Sequence, residues 1–340
     1  MAFQQTGFSM HQFGPNTPPH LRYEPWCCRQ EEPVRADGQE FQGGTHVLYA
    51  ADDKFFEPLM HSVISLARSL RANNSQPVTV HWVIRPQDME RARLMQDCLR
   101  REFEGLPVQP ALELHEMRSH FGRLGEKARA RMRSTMAFVR FYMHEYLPSA
   151  PRVIWLDADT IIRSDIRGLY SLPMEHVVAL ICHEGHEQLS RVWHMTELFG
   201  RLHSPNACLL NSGVMLVDTQ WWNSSGTVGY LEWWMSEPDV FMSHSYANHM
   251  DQAIVNLHFL PGMTEVLDTR WNVFHVGLFP EPIPACCMEK AHIFHFSWSG
   301  KPWQEKDGPN AHIYHSHAPR LECGAAVRPG EAARAATGKG

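Results

Sequence analysis

Two aspartates one residue apart, Asp157 and Asp159, are the side chains whose types and spacing best suit chemistry. In an extended segment this spacing directs both carboxylates to one side, where both can reach a single divalent ion. Oxygen ligands completed by one imidazole suit Mn²⁺ or Mg²⁺ that is shared with substrate phosphates. An Asp-x-Asp pair alone is more often a solvated turn than a metal site, so the surrounding elements must decide between the two interpretations.

The elements around these aspartates alternate between strand and helix patterns. Short apolar runs typical of strands occur at 46–51, 78–84, 111–115, 152–156, 177–182, 213–218 and 292–296. Apolar residues at helical spacing occur over 57–73, over 85–103 and from 136 to 147. Such alternation predicts βαβ units, a mainly parallel sheet and therefore an α/β fold.

The residues that follow the strands are the first place to look for chemistry, because ligands of such sheets bind beyond the carboxyl ends of the strands. Asp157 and Asp159 directly follow the run at 152–156, Asp52 follows the run at 46–51, and His295 lies in the last run. We therefore expect carboxylates and one histidine to converge on one rim of the sheet, which favours a metal site over a solvated turn.

Composition excludes some functions. The 340 residues include 31 Lys and Arg against 37 Asp and Glu, a net charge of −6. We expect no nucleic-acid partner, because phosphate binding needs a basic face. No apolar run approaches the ~20 residues needed to cross a bilayer, so we expect no membrane span in this chain. The 22 histidines raise the question of metal binding without assigning a site.

The eight cysteines are too few for a disulfide scaffold and include no Cys-x-x-Cys spacing. We interpret them as thiols of a reducing compartment. Residues 1–15 lack the features of a secretory signal. The sequence therefore predicts a cytoplasmic protein. The alternative is the Golgi lumen, if an anchor precedes this chain, and glycosylation sequons at Asn73 and Asn223 would matter only there.

Six sequence blocks in a fixed order resemble glycosyltransferase family 8, the retaining nucleotide-sugar transferases that include glycogenin, bacterial lipopolysaccharide galactosyltransferases and plant galacturonosyltransferase-like proteins. The blocks lie at 46–56, 137–148, 152–166, 209–218, 250–256 and 292–303. Each block alone is weak, but the six together, ending in the Lys-Pro-Trp of 301–303, are specific.

The resemblance implies the GT-A fold, a Rossmann-like nucleotide-binding sheet flanked by helices and merged with an acceptor-binding half. It implies a catalytic domain at 45–304, between an irregular extension at 1–44 and a C-terminal extension at 305–340 that is disordered from about 324. The expected reaction moves a hexosyl or hexuronosyl group from a UDP-sugar to a glycan or other hydroxyl acceptor, with retention. A homodimer is compatible with this assignment.

The resemblance also implies the site residues. Mn²⁺, with Mg²⁺ as the alternative, would be held by Asp157, Asp159 and His295. The catalytic residues would be Gln252, Asp251 and Arg140. The donor would be bound by Ala50, Asp52, Phe55, Asp157, Ala158, Asn211, Ser212, Gly300 and Lys301. Within this set, Asp52 would accept a hydrogen bond from uracil, Phe55 would stack on that base, and Lys301 would face the phosphates.

Two positions depart from the family pattern. Lys54 replaces a small polar residue, and Trp298 stands where a glycine is usual before Lys-Pro-Trp. A bulky side chain at Trp298 is expected to prevent the glycine conformation there. Gln252 lies where a carboxylate nucleophile would be expected. Because an amide is a poor nucleophile, we expect same-face substitution rather than a covalent glycosyl intermediate.

Two alternatives remain open at the level of sequence. The first is a GT-A protein that binds a nucleotide sugar without transferring it. The second is a phosphatase of the haloacid-dehalogenase type that uses Asp157 as its nucleophile. Thr160 comes one residue too early for that motif, and no later acidic pair supports it.

Overall fold

The computed structural model describes residues 43–120, 126–130, 132, 134–182, 209–242, 249–259, 264–278, 283–320 and 323. Its strands are β1 Thr45–Ala51, β2 Val78–Ile84, β3 Ala111–Glu116, β4 Arg152–Leu156, β5 Thr160–Ile162, β6 Val178–Cys182, β7 Leu210–Asp218, β8 Thr264–Val266, β9 Val273–Phe274 and β10 Ile293–His295. Seven of them form one sheet in the order β3-β2-β1-β4-β7-β6-β8, and β5-β10-β9 form a second.

The helices alternate with these strands. They are α1 Phe56–Ser69, α2 Met89–Glu102, α3 Glu126–Ala130, α4 Met143–Tyr146, α5 Arg167–Tyr170, α6 Thr219–Ser224, α7 Thr227–Ser236, α8 Pro238–Phe241, α9 Asp251–His258, α10 Ala285–Lys290 and α11 Ala311–His315. Short 3-10 helices span Asp53–Phe55, Pro86–Asp88, Met136–Tyr142 and Thr269–Asn272. Within the described ranges, no helix combines the length and apolar character that crossing a membrane requires.

The central sheet is mixed but mainly parallel. β1 runs parallel to β2 and β4, and β2 runs parallel to β3. β7 is antiparallel to both of its neighbours, β4 and β6, while β6 and β8 are parallel. The predicted α/β class is confirmed. The antiparallel β7 was not predicted, because an apolar strand buried on both faces carries no signal of its direction.

Side-chain alternation along β1 and β2 builds a core on each face of the sheet. Tyr49 and Trp82 point to the face covered by α1 and α2 and are fully buried. Leu48 and Val83 point to the opposite face, where the helices of 136–146, α7 and α9 pack. Both strands are therefore apolar on both sides, as expected for the interior of a parallel sheet. A smaller core lies around β10.

The predicted helices exist but have different ends. Helix α1 stops at Ser69, because Leu70 is extended and buried. The segment predicted as one helix over 85–103 begins with the 3-10 turn Pro86–Asp88, where proline occupies the first position. The helix predicted from 136 onward is mostly a 3-10 helix, Met136–Tyr142, so its backbone winds more tightly than helical spacing of apolar residues suggests.

The segment after residue 304 packs against the first two helices. The ring of Tyr314 in α11 stacks on His61 of α1 at 3.9 Å, and the His61 ring hydrogen-bonds to the Tyr314 carbonyl. The Arg320 amide donates to the buried carboxylate of Glu102 in α2 at 2.9 Å. The predicted extension at 1–44, except 43–44, and the predicted disordered tail from 324, directly after Cys323, lie outside the described residues.

The interpretation of the cysteines as thiols is wrong for those whose side chains the structure describes. Cys98 of α2 and Cys323 form a disulfide across a sequence separation of 225 residues. Cys286 and Cys287 are also disulfide-bonded. The pairing of Cys98 with Cys323 could not be read from local spacing, because folding alone brings these two positions together.

We expect the double variant Cys98→Ser/Cys323→Ser to lose about 2–4 kcal/mol of unfolding free energy, because the disulfide restricts the unfolded chain. Urea denaturation under oxidising conditions measures this loss. A strong reductant should remove most of the difference between the double variant and the wild type, since the wild type then loses its Cys98–Cys323 disulfide as well. A difference that persists unchanged in reductant would assign the loss to buried serine instead.

Candidate metal and donor site

The structure brings the three predicted metal ligands together at the carboxyl end of β4. Asp157 directly follows β4, Asp159 precedes β5, and His295 ends β10, which pairs antiparallel with β5. Nε2 of His295 lies 3.2 Å from Oδ1 of Asp159 and 3.8 Å from Oδ2 of Asp157. Two carboxylates and one imidazole that share such a point fit a divalent cation that prefers oxygen ligands.

Hydrogen bonds fix which nitrogen of His295 faces the carboxylates. Its Nδ1 lies 3.0 Å from Oδ1 of Asn272, and the amide of Asn272 donates in turn to Oδ1 of Asn211 at 2.8 Å. With its amide group committed as donor to Asn211, Asn272 accepts the Nδ1 proton of His295. The lone pair of Nε2 then faces Asp157 and Asp159, as a metal ligand requires.

The absence of a side chain at Gly213 in β7 leaves room for the His295 ring. A Cβ atom there would lie 2.1 Å from Cε1 of His295 and 3.0 Å from Oδ2 of Asp157. The Gly213 amide donates to Oδ1 of Asn211, and its carbonyl accepts from the Asp157 amide. Sequence reasoning missed both Gly213 and Asn272. Gly213 lies inside a block of the family, whereas no motif marks Asn272.

Arg140 is buried directly behind the aspartates. Its Nη2 donates to Oδ1 of Asp157 at 2.8 Å, and its Nε lies 3.0 Å from Oδ2 of Asp251. A third contact, from Nη1, goes to the carbonyl of Ser212. The guanidinium also lies 4.7 Å above the ring of Trp155, whose indole nitrogen donates to the same Asp157 oxygen. Arg140 therefore fixes one carboxylate of the metal site.

Ser212 joins the predicted donor residues of β7 to the start of α9. Its hydroxyl donates to Oδ2 of Asp251, and its amide donates to Oε1 of Gln252, both at 3.2 Å. Burial raises the pKa of Asp251 to about 6, and the charge of Asp157 adds to this shift, while Arg140 and Ser212 oppose it. The Asp251 carboxylate is thus enclosed by protein groups.

Helix α9 is held against β7 by Asn256, a residue that sequence reasoning also missed. The Asn256 side chain accepts from the Leu210 amide at 2.7 Å and donates to the Leu210 carbonyl at 2.8 Å. The side-chain amide of Asn256 thus binds both the N–H and the C=O of Leu210, as the backbone of a neighbouring strand would. It sets the position of Gln252 and Asp251, one turn earlier on the helix, relative to the metal ligands.

Lys301 binds Asp159 directly. Its Nζ lies 2.5 Å from Oδ2 of Asp159 and also donates to the Phe296 carbonyl. Burial by itself would raise the pKa of Asp159, but the charge of Lys301 and its hydrogen bond hold that pKa well below its usual range. Asp159 is therefore ionised at neutral pH, the state in which a carboxylate binds a metal.

The loop after β10 keeps a glycine-like backbone at Trp298. Its φ is 67°, so the expectation that a bulky residue prevents this conformation is wrong. The side chain is 60% exposed and so escapes crowding. Gly300 has a φ of 70° and packs on Gly277, where a Cβ on either glycine would lie within 2 Å of the other's carbonyl oxygen. No sequence signal had singled out Gly277.

The predicted base-binding residues lie where β1 ends. Ala50 is half-buried in β1, and Asp52 caps the following 3-10 helix by accepting from the Lys54 amide at 3.2 Å. The exposed ring of Phe55 meets Trp303 edge to face at 6.0 Å. Lys54 is itself exposed. Ala158, between the two metal aspartates, is buried.

The mainly parallel mixed sheet with an Asp-x-Asp at the end of β4 is the arrangement of the GT-A fold. Similar solved structures include the galactosyltransferase LgtC in complex with donor and acceptor sugar analogues, with a TM-score of 0.60 and 16% identity over 86% of this chain and 99% of LgtC. The glycosyltransferase GlyE of Streptococcus pneumoniae TIGR4 has a TM-score of 0.54 and 17% identity over 84% of this chain and 62% of GlyE. At these identities the likeness shows the fold.

A sequence profile of glycosyl transferase family 8 matches residues 46–307, and the chain belongs to this family. Similar proteins include probable galacturonosyltransferase-like 8 of Arabidopsis thaliana, 24% identical over 77% of this chain and 67% of the relative. Glycosyltransferase 8 domain-containing protein 1 of Danio rerio is 28% identical over 49% of this chain and 52% of the relative. The match to probable galacturonosyltransferase 10 of A. thaliana spans 31% of that relative.

We expect Gly213→Ala to weaken Mn²⁺ binding about 10-fold or more, because the added methyl group displaces His295 from the aspartates. Loss of the free-ion EPR signal on titration measures the bound Mn²⁺. Gly229→Ala in α7 is the matched control, since a Cβ there meets no atom within 4 Å. Equal Mn²⁺ affinity of Gly213→Ala and wild type would refute the steric argument.

We expect Asn272→Ala to lower the affinity for Mn²⁺ by roughly 10- to 100-fold, the range typical of a lost hydrogen bond to a metal-binding histidine. Asn272→Asp should keep more of the affinity, because an aspartate still accepts the Nδ1 proton of His295. The same EPR titration compares the two variants. If both bind Mn²⁺ as weakly as His295→Ala, the asparagine acts on folding rather than on the orientation of the ring.

Proposed function

We propose that this protein is a retaining glycosyltransferase that moves a hexosyl or hexuronosyl group from a UDP-sugar to a hydroxyl acceptor and depends on Mn²⁺. The observation that carries the proposal is the convergence of Asp157, Asp159 and His295 at the carboxyl end of β4. Family membership supports a transferase, and the ligand set supports a hard divalent ion bound together with a diphosphate.

A divalent ion held by Asp157, Asp159 and His295 would neutralise the charge that develops on the departing UDP. The protein's own contribution begins with Arg140, which holds Asp157 in place from the buried side. Lys301 is the cation nearest to Asp159 on the loop after β10 and would turn to the phosphates when the donor is bound. Mg²⁺ is the alternative ion, since it accepts the same oxygen ligands.

Same-face substitution is the mechanism that these side chains favour. The bond between the sugar C1 and the diphosphate oxygen breaks, a bond from the acceptor oxygen to C1 forms on the same face, and the diphosphate oxygen takes the acceptor proton. A covalent intermediate would need a free carboxylate, but Asp251 is only 5% exposed and is held by Arg140 and Ser212. Gln252, fixed by the Ser212 amide, would steady the developing positive charge.

The donor base would lie at the end of β1. Asp52 would accept a hydrogen bond from uracil, and the exposed ring of Phe55 offers a face for stacking. Ala50, Ala158, Asn211 and Ser212 would shape the remainder of the donor site. The conformation of Gly300 and its contact with Gly277 leave the backbone near Lys301 free to approach the phosphates.

The disulfides favour the Golgi lumen over the cytoplasm, because disulfides persist in oxidising compartments. The exposed side chains of Asn73 and Asn223 are consistent with this preference, since both begin glycosylation sequons. We therefore propose a lumenal enzyme.

The phosphatase alternative is not favoured by the geometry around Asp157. Oδ1 of this residue accepts hydrogen bonds from both Arg140 and Trp155, which occupy one of the two oxygens that could attack phosphorus, and Oδ2 faces His295. Thr160 is fully buried, and its hydroxyl donates to the Asp157 carbonyl. Thr160 therefore has a structural role in this turn.

We expect Mn²⁺-dependent release of UDP from one member of a panel comprising UDP-glucose, UDP-galactose, UDP-galacturonic acid and UDP-N-acetylglucosamine. Asp159→Asn should lower the turnover by at least ~100-fold, because the charge that binds the metal is lost. Asp239→Asn, an exposed carboxylate on α8, is the matched control and should retain wild-type turnover. Released UDP, measured with and without a chelator, is the readout.

Three results would contradict parts of this proposal. If a GDP-sugar were turned over as fast as the corresponding UDP-sugar, Asp52 would not have its assigned role in base recognition. Tight UDP binding without any hydrolysis or transfer, with Mn²⁺ bound, would favour the non-catalytic nucleotide-sugar-binding alternative. Trapping of a sugar on Asp251 or Gln252 would replace same-face substitution by a two-step mechanism.

A further inference from the structure

Three histidines and a glutamate form a second cluster of metal-binding side chains, outside the donor site. His46 lies on β1, His81 on β2, and Glu113 and His115 on β3, the edge strand of the sheet. His81 pairs with Glu113 in the parallel register, and His115 follows Glu113 by two residues. Residues two apart on a strand share a face, so these side chains meet on one side of the sheet.

The atoms of this cluster converge on one point. Nδ1 of His81 lies 3.0 Å from Nε2 of His115 and 3.2 Å from Oε2 of Glu113. In a tetrahedral zinc site with bonds of roughly 2.0–2.1 Å, neighbouring ligand atoms are about 3.4 Å apart. The spacing found here is shorter by only a few tenths of an ångström, so a small outward movement of Glu113 and His115 would admit an ion.

Hydrogen bonds alone do not satisfy this arrangement. Nδ1 of His81 faces both the imidazole of His115 and the carboxylate of Glu113, and it can carry only one proton. If His115 instead donates its Nε2 proton to Nδ1 of His81, then Nδ1 carries no proton, and the Glu113 oxygen faces the lone pair of that nitrogen. A cation at the point of convergence satisfies the three lone pairs of His81, Glu113 and His115 together.

The other ring nitrogen of His81 already has the partner that a metal-binding histidine needs. Its Nε2 lies 3.1 Å from Nδ1 of His46. A histidine bound to a metal through Nδ1 carries its proton on Nε2 and donates it to an outer partner, which fixes the ring. His46 is placed to accept that proton. The ring of His81 is also held by burial, with 3% of its side chain exposed.

We propose that His81, Glu113 and His115 bind a Zn²⁺ ion, with His46 as the outer hydrogen-bond partner. Two imidazoles and one carboxylate select zinc over Mn²⁺ or Mg²⁺, which prefer oxygen ligands. Three protein ligands leave a fourth position for water. The Glu113 side chain is 56% exposed, which gives the ion a path from solvent. Such an ion would tie the edge strand β3 to β2.

The test measures how much zinc the full chain binds when the metal ligands of the donor site are incomplete. His295→Ala removes the imidazole of that site, and equilibrium dialysis of the chelator-treated protein against Zn²⁺, with mass-spectrometric metal analysis, counts the bound ions. We expect His295→Ala to retain one zinc per chain. Co²⁺ in its place should give the visible absorption of a four-coordinate imidazole site.

Addition of His115→Ala or Glu113→Gln to His295→Ala should abolish stoichiometric binding. Addition of His46→Ala should weaken it by roughly 10- to 100-fold. His312→Ala, an exposed histidine on α11 outside both clusters, is the matched control and should change nothing. Glu113→Gln alters an exposed side chain, so its circular dichroism should stay native and a loss of zinc cannot be assigned to unfolding.

Two results would overturn the proposal. One is a folded His295→Ala variant that binds no zinc. The other is zinc that remains bound, with unchanged affinity, after both His115→Ala and Glu113→Gln. Neither result bears on the proposed transferase activity, which is measured in the wild type with Mn²⁺.

Discussion

The compensation of buried negative charge is the constraint on which the site depends. Asp157, Asp159 and Asp251 lie within one small region, and the last two are at least 90% buried. Carboxylates removed from water are stable only when cations or hydrogen-bond donors face them. Arg140 forms ion pairs with Asp157 and Asp251 from the core, while Lys301 forms an ion pair with Asp159 from the rim. The remaining open side is the one that a divalent ion and a diphosphate would occupy.

This constraint explains several features of the fold at once. Arg140 can reach two carboxylates because the tight 3-10 helix Met136–Tyr142 brings it against the sheet. His295 reaches Asp159 because β10 pairs with β5 immediately after the aspartates. The antiparallel direction of β7 places Gly213 beside His295, and Asn256 anchors α9 to the same strand. Each element delivers one group to a site that no single element could build.

The sequence predicted the parts of this arrangement that are local. Strand patterns, the position of Asp157 and Asp159 after β4, and the α/β class follow from periodicity and from the rule that ligands bind beyond strand ends. Asn272, Gly277 and the Cys98–Cys323 disulfide were not predicted, because their meaning depends on contacts between segments far apart in sequence. At Trp298 the residue type led to a wrong prediction. A bulky residue was expected to prevent the left-handed backbone conformation, but the exposed side chain permits it.

Composition alone could not assign a role to the histidines, but the fold places some of them beside different partners. One histidine, His295, joins two carboxylates in an oxygen-rich site, whereas His81 and His115 meet a single carboxylate in a nitrogen-rich site. Zinc binds nitrogen ligands more tightly than manganese does. Under the two proposals, the site at the edge of the sheet would therefore take zinc, and the donor site would take the harder ion. Ligand type, rather than histidine number, separates the two ions.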